Sequence, residues 1–284
     1  MAAVQAEPRW LDIDAGTEQV LAHIDHAAAE GAQLVAFPGC FVPGFPWWMW
    51  LDPGEWGEEF RSRYLRNAMT RQGPQLRAIA ETVRGYRIHV VLGFAERYGD
   101  QVYKAQALIG PDGLIRVRRK PDPDALERAV FSPGLHRPLY AETVIGRVGV
   151  LGGADHLEPP GQDQGEEDIH VACWPGFTVF RGAGQGLGPE VNRAASLLYA
   201  VRSGAYVVAP AAVVPVSGRQ QWSMRAGTPI KQLLRGDGDV ARIFSPDGVE
   251  LARPLFPGEE GIVYADVDLS LRRDPSRRSR CTAR

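Results

Sequence analysis

Apolar and polar positions in this chain switch repeatedly between a helical and an extended period. In TEQVLAHIDHAAAEG, residues 17–31, Val20, Leu21, Ile24 and Ala28 recur at helical spacing, which predicts an amphipathic helix capped by Thr17 and stopped by Gly31. AQLVAFPG, residues 32–39, is a continuous apolar run ending in Pro-Gly, as expected of a strand buried on both faces that opens into a loop. The alternation repeats with a helix over GPQLRAIAETVRGY, residues 73–86, and a strand over RIHVVLGFAE, residues 87–96. Two further segments, QALIGPDGLIRVRRK and ARIFSPDGVELARPL, are each an apolar run turned by Pro-Asp-Gly into another, and both predict β-hairpins. Each follows a helical stretch, LRAIAETVRG or EVNRAASLLYAVRSG, so the pattern predicts two related α/β layers. No Gly/Ser or Pro-rich linker interrupts residues 1–270, read as one domain, and residues 271–284 form a basic C-terminal tail.

Composition narrows the class. The 284 residues are 44% hydrophobic and 23% charged, which suits a globular chain with a sizeable core. A formal net charge of −2 with scattered arginines argues against a nucleic-acid partner. No apolar run reaches the ~20 residues of a membrane span, and the N-terminus lacks a signal-peptide pattern. Cys40, Cys173 and Cys281 form neither a paired framework nor a metal-binding spacing, so the expected compartment is the cytoplasm.

Five blocks carry a family resemblance, in order from near Val4 to about Asp268: GAQLVAFPGCFVPGFPWW, RVRRKPDPDALERAVFSPG, GRVGVLGGADHLEP, EEDIHVACWPGF and SPDGVELARPLFPGEEGIVYADVDL. Together they resemble the nitrilase, or carbon–nitrogen hydrolase, superfamily and are closest to nitrilases proper. The resemblance implies an α/β fold, a four-layer αββα sandwich, commonly paired into a homodimer or larger homo-oligomer. It implies a small-molecule substrate and neither a metal nor an organic cofactor. It also implies a Glu–Lys–Cys triad, whose lysine falls on Lys120 and whose additional acidic residue falls on Glu127. The triad glutamate falls on Gly39 and the cysteine on Gly153, with Ala154 and Asp155 following. Arg202 stands where a later block normally carries glutamate.

The residues themselves allow competing readings. Lys120, before Pro121, is either a pocket ammonium or a surface lysine of RVRRK; Glu127 is its partner or one half of a helical pair with Arg128. Asp155 and His156 are adjacent, so on an extended segment only one faces a pocket, and Asp155 is expected to be that one. His170, in an apolar run, is expected to be a hydrogen-bonded core histidine. Cys40 and Cys173 read as small buried hydrophobes. Phe45, Trp47, Trp48 and Trp174, with His156, are expected to line a substrate pocket; the aromatic run, which also holds Phe41, Trp50 and Trp56, would equally suit an oligomer interface. Glycine at 39 and 153 removes bulk, which predicts an enlarged cavity unless neighbours close in.

Covalent hydrolysis of a nitrile or amide needs a thiolate, a base and a cation for the developing anion. With glycine at two of these positions, the sequence predicts altered chemistry: non-covalent acid–base catalysis on a small biosynthetic intermediate by Lys120, Glu127 and Asp155. A catalytically silent binding or scaffold subunit is the alternative. A third reading keeps hydrolysis, with Cys40 as a displaced nucleophile.

Overall fold

In the computed structural model of the chain the described residues are 1–50, 54–125, 127–135, 139–157, 166–175, 188–213 and 238–271. Alternation along the first strand, β1 (Ala2–Ala6), sets the layering. Ala2, Val4 and Ala6 face one apolar cluster while Ala3 faces another. The next strand, β2 (Leu34–Ala36), divides in the same way, with Val35 on the outer side and Leu34 and Ala36 on the inner side. This is why AQLVAFPG is apolar at every position: both of its faces are covered.

Helices α1 (Ile13–Ala29) and α3 (Pro74–Tyr86) cover the outer face of the first sheet through Val20, Ile24, Leu76, Ile79 and Val83. Helix α2 (Gly54–Asn67) lies between them in the chain. The first sheet is completed by β3 (His89–Tyr98), β4 (Gln101–Ile109), β5 (Ile115–Arg119), β10 (Ala211–Ala212) and β12 (Gly261–Tyr264). Its order is β10-β1-β2-β3-β4-β5, with β12 also pairing β1. The second sheet holds β6 (Leu139–Thr143), β7 (Gly146–Gly152), β8 (Ile169–Cys173), β9 (Tyr206–Ala209) and β11 (Arg242–Phe244), in the order β11-β9-β8-β7-β6. Val148, Val150, Ile169, Val171 and Val208 pack it against Ala3, Leu34, Val91 and Leu108 of the first sheet. Helix α4 (Pro189–Ser203) closes its outer face with Ala195, Tyr199 and Ala200. The result is the expected αββα sandwich.

Two local expectations are corrected. The cap of α1 is Asp12, which accepts from the Ala15 amide at 2.9 Å, and Thr17 lies inside the helix with its hydroxyl donating to the Ile13 carbonyl at 2.7 Å. Starting the helix earlier buries more of its apolar face. The first hairpin forms as a full antiparallel ladder between β4 and β5. The second is reduced to β11 and a bridge from Phe244 to Glu250.

Ile169 is fully buried between the sheets. Replacing it with alanine removes apolar contact from both and should cost about 2–5 kcal/mol, read as a lower urea midpoint at unchanged slope; a loss under about 1 kcal/mol would mean the two sheets are not packed as described.

Candidate active site

The pleat of the β4–β5 hairpin collects the polar groups. Gln106 pairs with Arg118 across the ladder, and the Lys120 amide donates to the Lys104 carbonyl at 2.7 Å. Side chains two residues apart share a face, so Lys104, Gln106, Arg118 and Lys120 form one inward set. Arg119 points the other way, held by Glu96 at 2.8 Å and lying 3.8 Å over the Tyr103 ring.

Glu127 meets this set from a short 3-10 turn, Glu127–Ala129. Its amide donates to Asp124 Oδ1 at 2.8 Å and its Oε2 accepts from the Asp124 amide at 3.2 Å, which fixes the carboxylate. Lys104 Nζ donates to Oε1 at 2.9 Å and Lys120 Nζ to Oε2 at 2.6 Å. All three side chains are at most 4% exposed. Burial alone would raise the Glu127 carboxyl, but the two ammoniums outweigh it and hold it down at about 2. Burial opposes the charged form of Lys104 too, and Glu127 reverses this, raising its pKa.

Strand β7 ends at Gly152, and Gly153–Leu157 turn as a 3-10 segment, not as an extended one. Asp155 and His156 therefore do not split between two faces of a strand. Asp155 accepts from Arg118 Nη2 at 2.6 Å and is 16% exposed, while His156 points into the protein. Gly153 has φ +54°, in the left-handed region that favours glycine. A Cβ there would stand 3.1 Å from Lys104 Nζ, and a Cβ on Gly39 would stand 2.7 Å from the Cys173 carbonyl oxygen. At Gly39 the Cys173–Pro175 backbone fills the space, as the expectation allowed, whereas at Gly153 only the tip of the Lys104 side chain stands close.

A buried chain of hydrogen bonds runs inward from this turn. His156 Nδ1 lies 2.8 Å from the Gly153 carbonyl, His156 Nε2 lies 2.9 Å from His170 Nε2, and His170 Nδ1 lies 3.0 Å from Glu167 Oε1. The Gly153 carbonyl only accepts, so His156 carries its proton on Nδ1 and accepts at Nε2. His170 then donates from Nε2 to His156, and its Nδ1 lies against Glu167 Oε1. Burial, and then the charge of His170, push His156 down to about 3, so it stays uncharged. The Tyr199 hydroxyl also donates to Glu167. His170 is, as expected, a buried and hydrogen-bonded histidine.

The two cysteines among the described residues differ in surroundings. Cys173 packs in the apolar layer between the sheets. Cys40 has φ +53° and lies with Phe45, Trp48 and Tyr64, in the field of Lys104, Glu127 and Lys120. Burial pushes both thiols up to about 12, against the pull of Lys104 on Cys40 and of Arg118 on Cys173. Phe45 is buried with its ring 5.0 Å from Lys104 Nζ. Trp48 stacks on Phe60. Trp174 is 1% exposed, packs on His156 and donates to Ser196 at 2.8 Å. The side chains of Trp47, Trp50 and Trp56 lie outside the described residues, as do Cys281 and residues 272–284 of the tail. Arg202 is exposed on α4, away from this set.

Sequence reasoning picked out Lys120, Glu127 and Asp155 but missed Lys104, Gln106, Arg118 and Glu167. The signal for the first three was period-2 polarity inside apolar strands, in YKAQALI and RVRRK. Among the described residues no cluster of metal-ligating side chains occurs and no helix is long and apolar enough to cross a membrane.

An αββα sandwich with a buried lysine–glutamate cluster at the end of the β4–β5 hairpin, at the edge of the first sheet, defines an enzyme of the nitrilase fold. The chain belongs to the carbon–nitrogen hydrolase family, whose model matches residues 1–275. It is 39% identical over 274 residues to a nitrilase of Pseudomonas syringae pv. syringae (strain B728a), covering 94% of this chain and 81% of that one. It is 35% identical over 279 residues to an arylacetonitrilase of Aspergillus oryzae, covering 95% and 82%. A carbon–nitrogen hydrolase superfamily structure from Xanthomonas campestris superposes with a TM-score of 0.67 at 17% identity, covering 92% of this chain and 87% of that one. These relatives overturn the expectation of altered, non-covalent chemistry and the scaffold alternative: proteins this similar over nearly the whole chain are named for nitrile hydrolysis.

Replacing Glu127 with glutamine would leave two buried ammoniums sharing no counter-charge and should cost about 3–5 kcal/mol of stability. Because the folded carboxyl sits near 2, below its ordinary value of 4.5, its contribution is present in full above that value. It is lost as pH falls through the folded pKa. Thermal melts from pH 6 to about pH 2 should show a steeper acid loss for the wild type than for Glu127→Gln; parallel curves would contradict the assignment.

Proposed function

We propose that the chain hydrolyses small nitriles to carboxylic acids and ammonia at the cluster formed by Lys104, Lys120 and Glu127. The observation that carries this reading is the 39% identity to a nitrilase over 94% of the chain, combined with a buried lysine–glutamate cluster at the motif where the resemblance puts it. The arylacetonitrilase relatives make aryl-substituted acetonitriles the first substrates to test, and Phe45 beside Lys104 suits an aromatic group.

The motif order puts the family's glutamate and cysteine positions on Gly39 and Gly153, neither of which carries a functional side chain. We therefore assign the nucleophile to Cys40, whose thiol lies with Phe45 and feels both lysines of the cluster, over Cys173, which feels Arg118 and Lys104 but packs in the apolar layer between the sheets. Its high pKa means the thiol rests protonated, so sulfur attacks as its proton leaves. The sulfur bonds to the nitrile carbon while the thiol proton passes to nitrogen, giving a thioimidate. Lys104 and Lys120 stabilise negative charge developing on that nitrogen. Water then adds, the carbon–nitrogen bond breaks and ammonia leaves, giving a thioester. A second water releases the acid and restores the thiol. Glu127, hydrogen-bonded to both ammoniums, positions them.

Purified protein incubated with phenylacetonitrile should release ammonia and phenylacetate. Cys40→Ser should lower kcat by at least ~10³-fold, and Cys173→Ser by less than about tenfold. Absence of ammonia from the wild type across aryl and alkyl nitriles would overturn the activity; full activity of Cys40→Ser would overturn the nucleophile.

A further inference from the structure

The outer side of the first sheet carries an open groove of about 550 Å³ between α3 and the tip of the β4–β5 hairpin. Ala80 and Ile115 give it an apolar wall, and Arg71, Arg77 and Arg84 bring three guanidiniums to it. Arg77 and Arg84 are seven residues apart in α3, so they leave the same face of the helix about 10 Å from each other. Small Ala80, between them in the chain, leaves the space open. Ile115 packs with the outer apolar cluster and shares the strand face of Arg119, opposite to Lys104 and Lys120. The groove therefore lies on the far side of the sheet from the candidate active site.

Two of the guanidiniums are held in place by backbone. Arg77 Nη2 donates to the Gln72 carbonyl at 3.2 Å, and Arg84 Nη2 donates to the Asp112 carbonyl at 3.2 Å. Arg84 also lies against Gly113, where φ is +76° and a Cβ would stand 2.5 Å from Nη2, so the Pro-Asp-Gly turn admits the guanidinium because it ends in glycine. Each of these bonds uses one of five N–H donors. Among the described residues neither Arg77 nor Arg84 has a carboxylate within ion-pair distance, Glu81 on their own helix face included. Nearby carboxylates are engaged elsewhere: Glu96 is shared by Arg71 and Arg119, and Asp112 Oδ1 accepts from the Leu114 amide at 2.9 Å. Water answers a lone exposed guanidinium, but three converging on one cavity raise its potential and present donors that a single anion can bridge.

We propose that this groove binds a small diphosphate-bearing anion between Arg77 and Arg84. The planar guanidinium fork matches phosphate oxygens two at a time, and side chains already tied to backbone lose little freedom on binding. Two linked phosphates offer oxygens to both arginines, which a single carboxylate cannot do across that spacing. Helix α3 also begins at Gly73 in the same groove, so its N-terminal end adds partial positive charge there. A volume of about 550 Å³ suits a small-molecule ligand. The site goes beyond the nitrilase reading and does not depend on it.

Titration calorimetry of the whole chain without nitrile, at about 0.15 M sodium chloride to screen general charge attraction, tests it. Inorganic diphosphate should bind saturably and at least about tenfold more tightly than acetate. The double variant Arg77→Gln with Arg84→Gln should weaken diphosphate binding at least about tenfold, and Arg202→Gln, on α4 of the other sheet, should leave it unchanged, with circular dichroism confirming each fold. Absence of saturable binding by the wild type, undiminished binding by the folded double variant, or equal weakening by Arg202→Gln would overturn the site. ADP binding at least as tight as that of diphosphate assigns the groove to a nucleoside diphosphate; weaker ADP binding assigns it to free diphosphate.

Discussion

One carboxylate between two buried ammoniums organises this molecule's interior. Glu127 receives Lys104 on one oxygen and Lys120 on the other, all three nearly without water. Lys104 lies in β4 and Lys120 directly follows β5 of the same hairpin, so the cluster exists only when that ladder is in register. A slip of one residue between them would send one of the two ammoniums to the face where Arg119 and Glu96 now sit and part it from the other. The cluster and the sheet thus depend on each other.

The surrounding packing follows from the same need to keep charge compensated away from water. The turn at Gly153 comes within 3.1 Å of Lys104, measured from where a Cβ would stand, and a Cβ on Gly152 would come within 2.4 Å of the Gln106 amide. At Gly153 the backbone also sits at φ +54°, in the region that favours glycine. Behind the turn, the histidine chain ties the Gly153 carbonyl to Glu167 on the far side. The backbone beside the cluster is therefore held from two directions, as an active site needs for its groups to stay aligned.

The sandwich could be read from the sequence because its signals are local: two-sided strands are apolar throughout, and helices show one apolar stripe. Lys120 and Glu127 were legible only through the family motif, since RVRRK and ALER are ordinary surface patterns by themselves. Lys104 and Gln106 were hidden because a polar residue at every second strand position normally faces water, and only the tertiary fold shows that here it faces inward. The fate of the space at Gly39 and Gly153 depends on the Cys173–Pro175 backbone and on a lysine distant in sequence, so no local pattern reports it. The altered chemistry inferred from those two glycines failed against relatives that share nearly the whole chain and are named for nitrile hydrolysis.

The most direct test of this account is to look for the covalent intermediate. Acid-quenching the protein during turnover of phenylacetonitrile and mapping its peptides by mass spectrometry should place the phenylacetyl mass on the peptide that contains Cys40. Acylation of the Cys173 or Cys281 peptide, or turnover with no acylated cysteine at all, would contradict it.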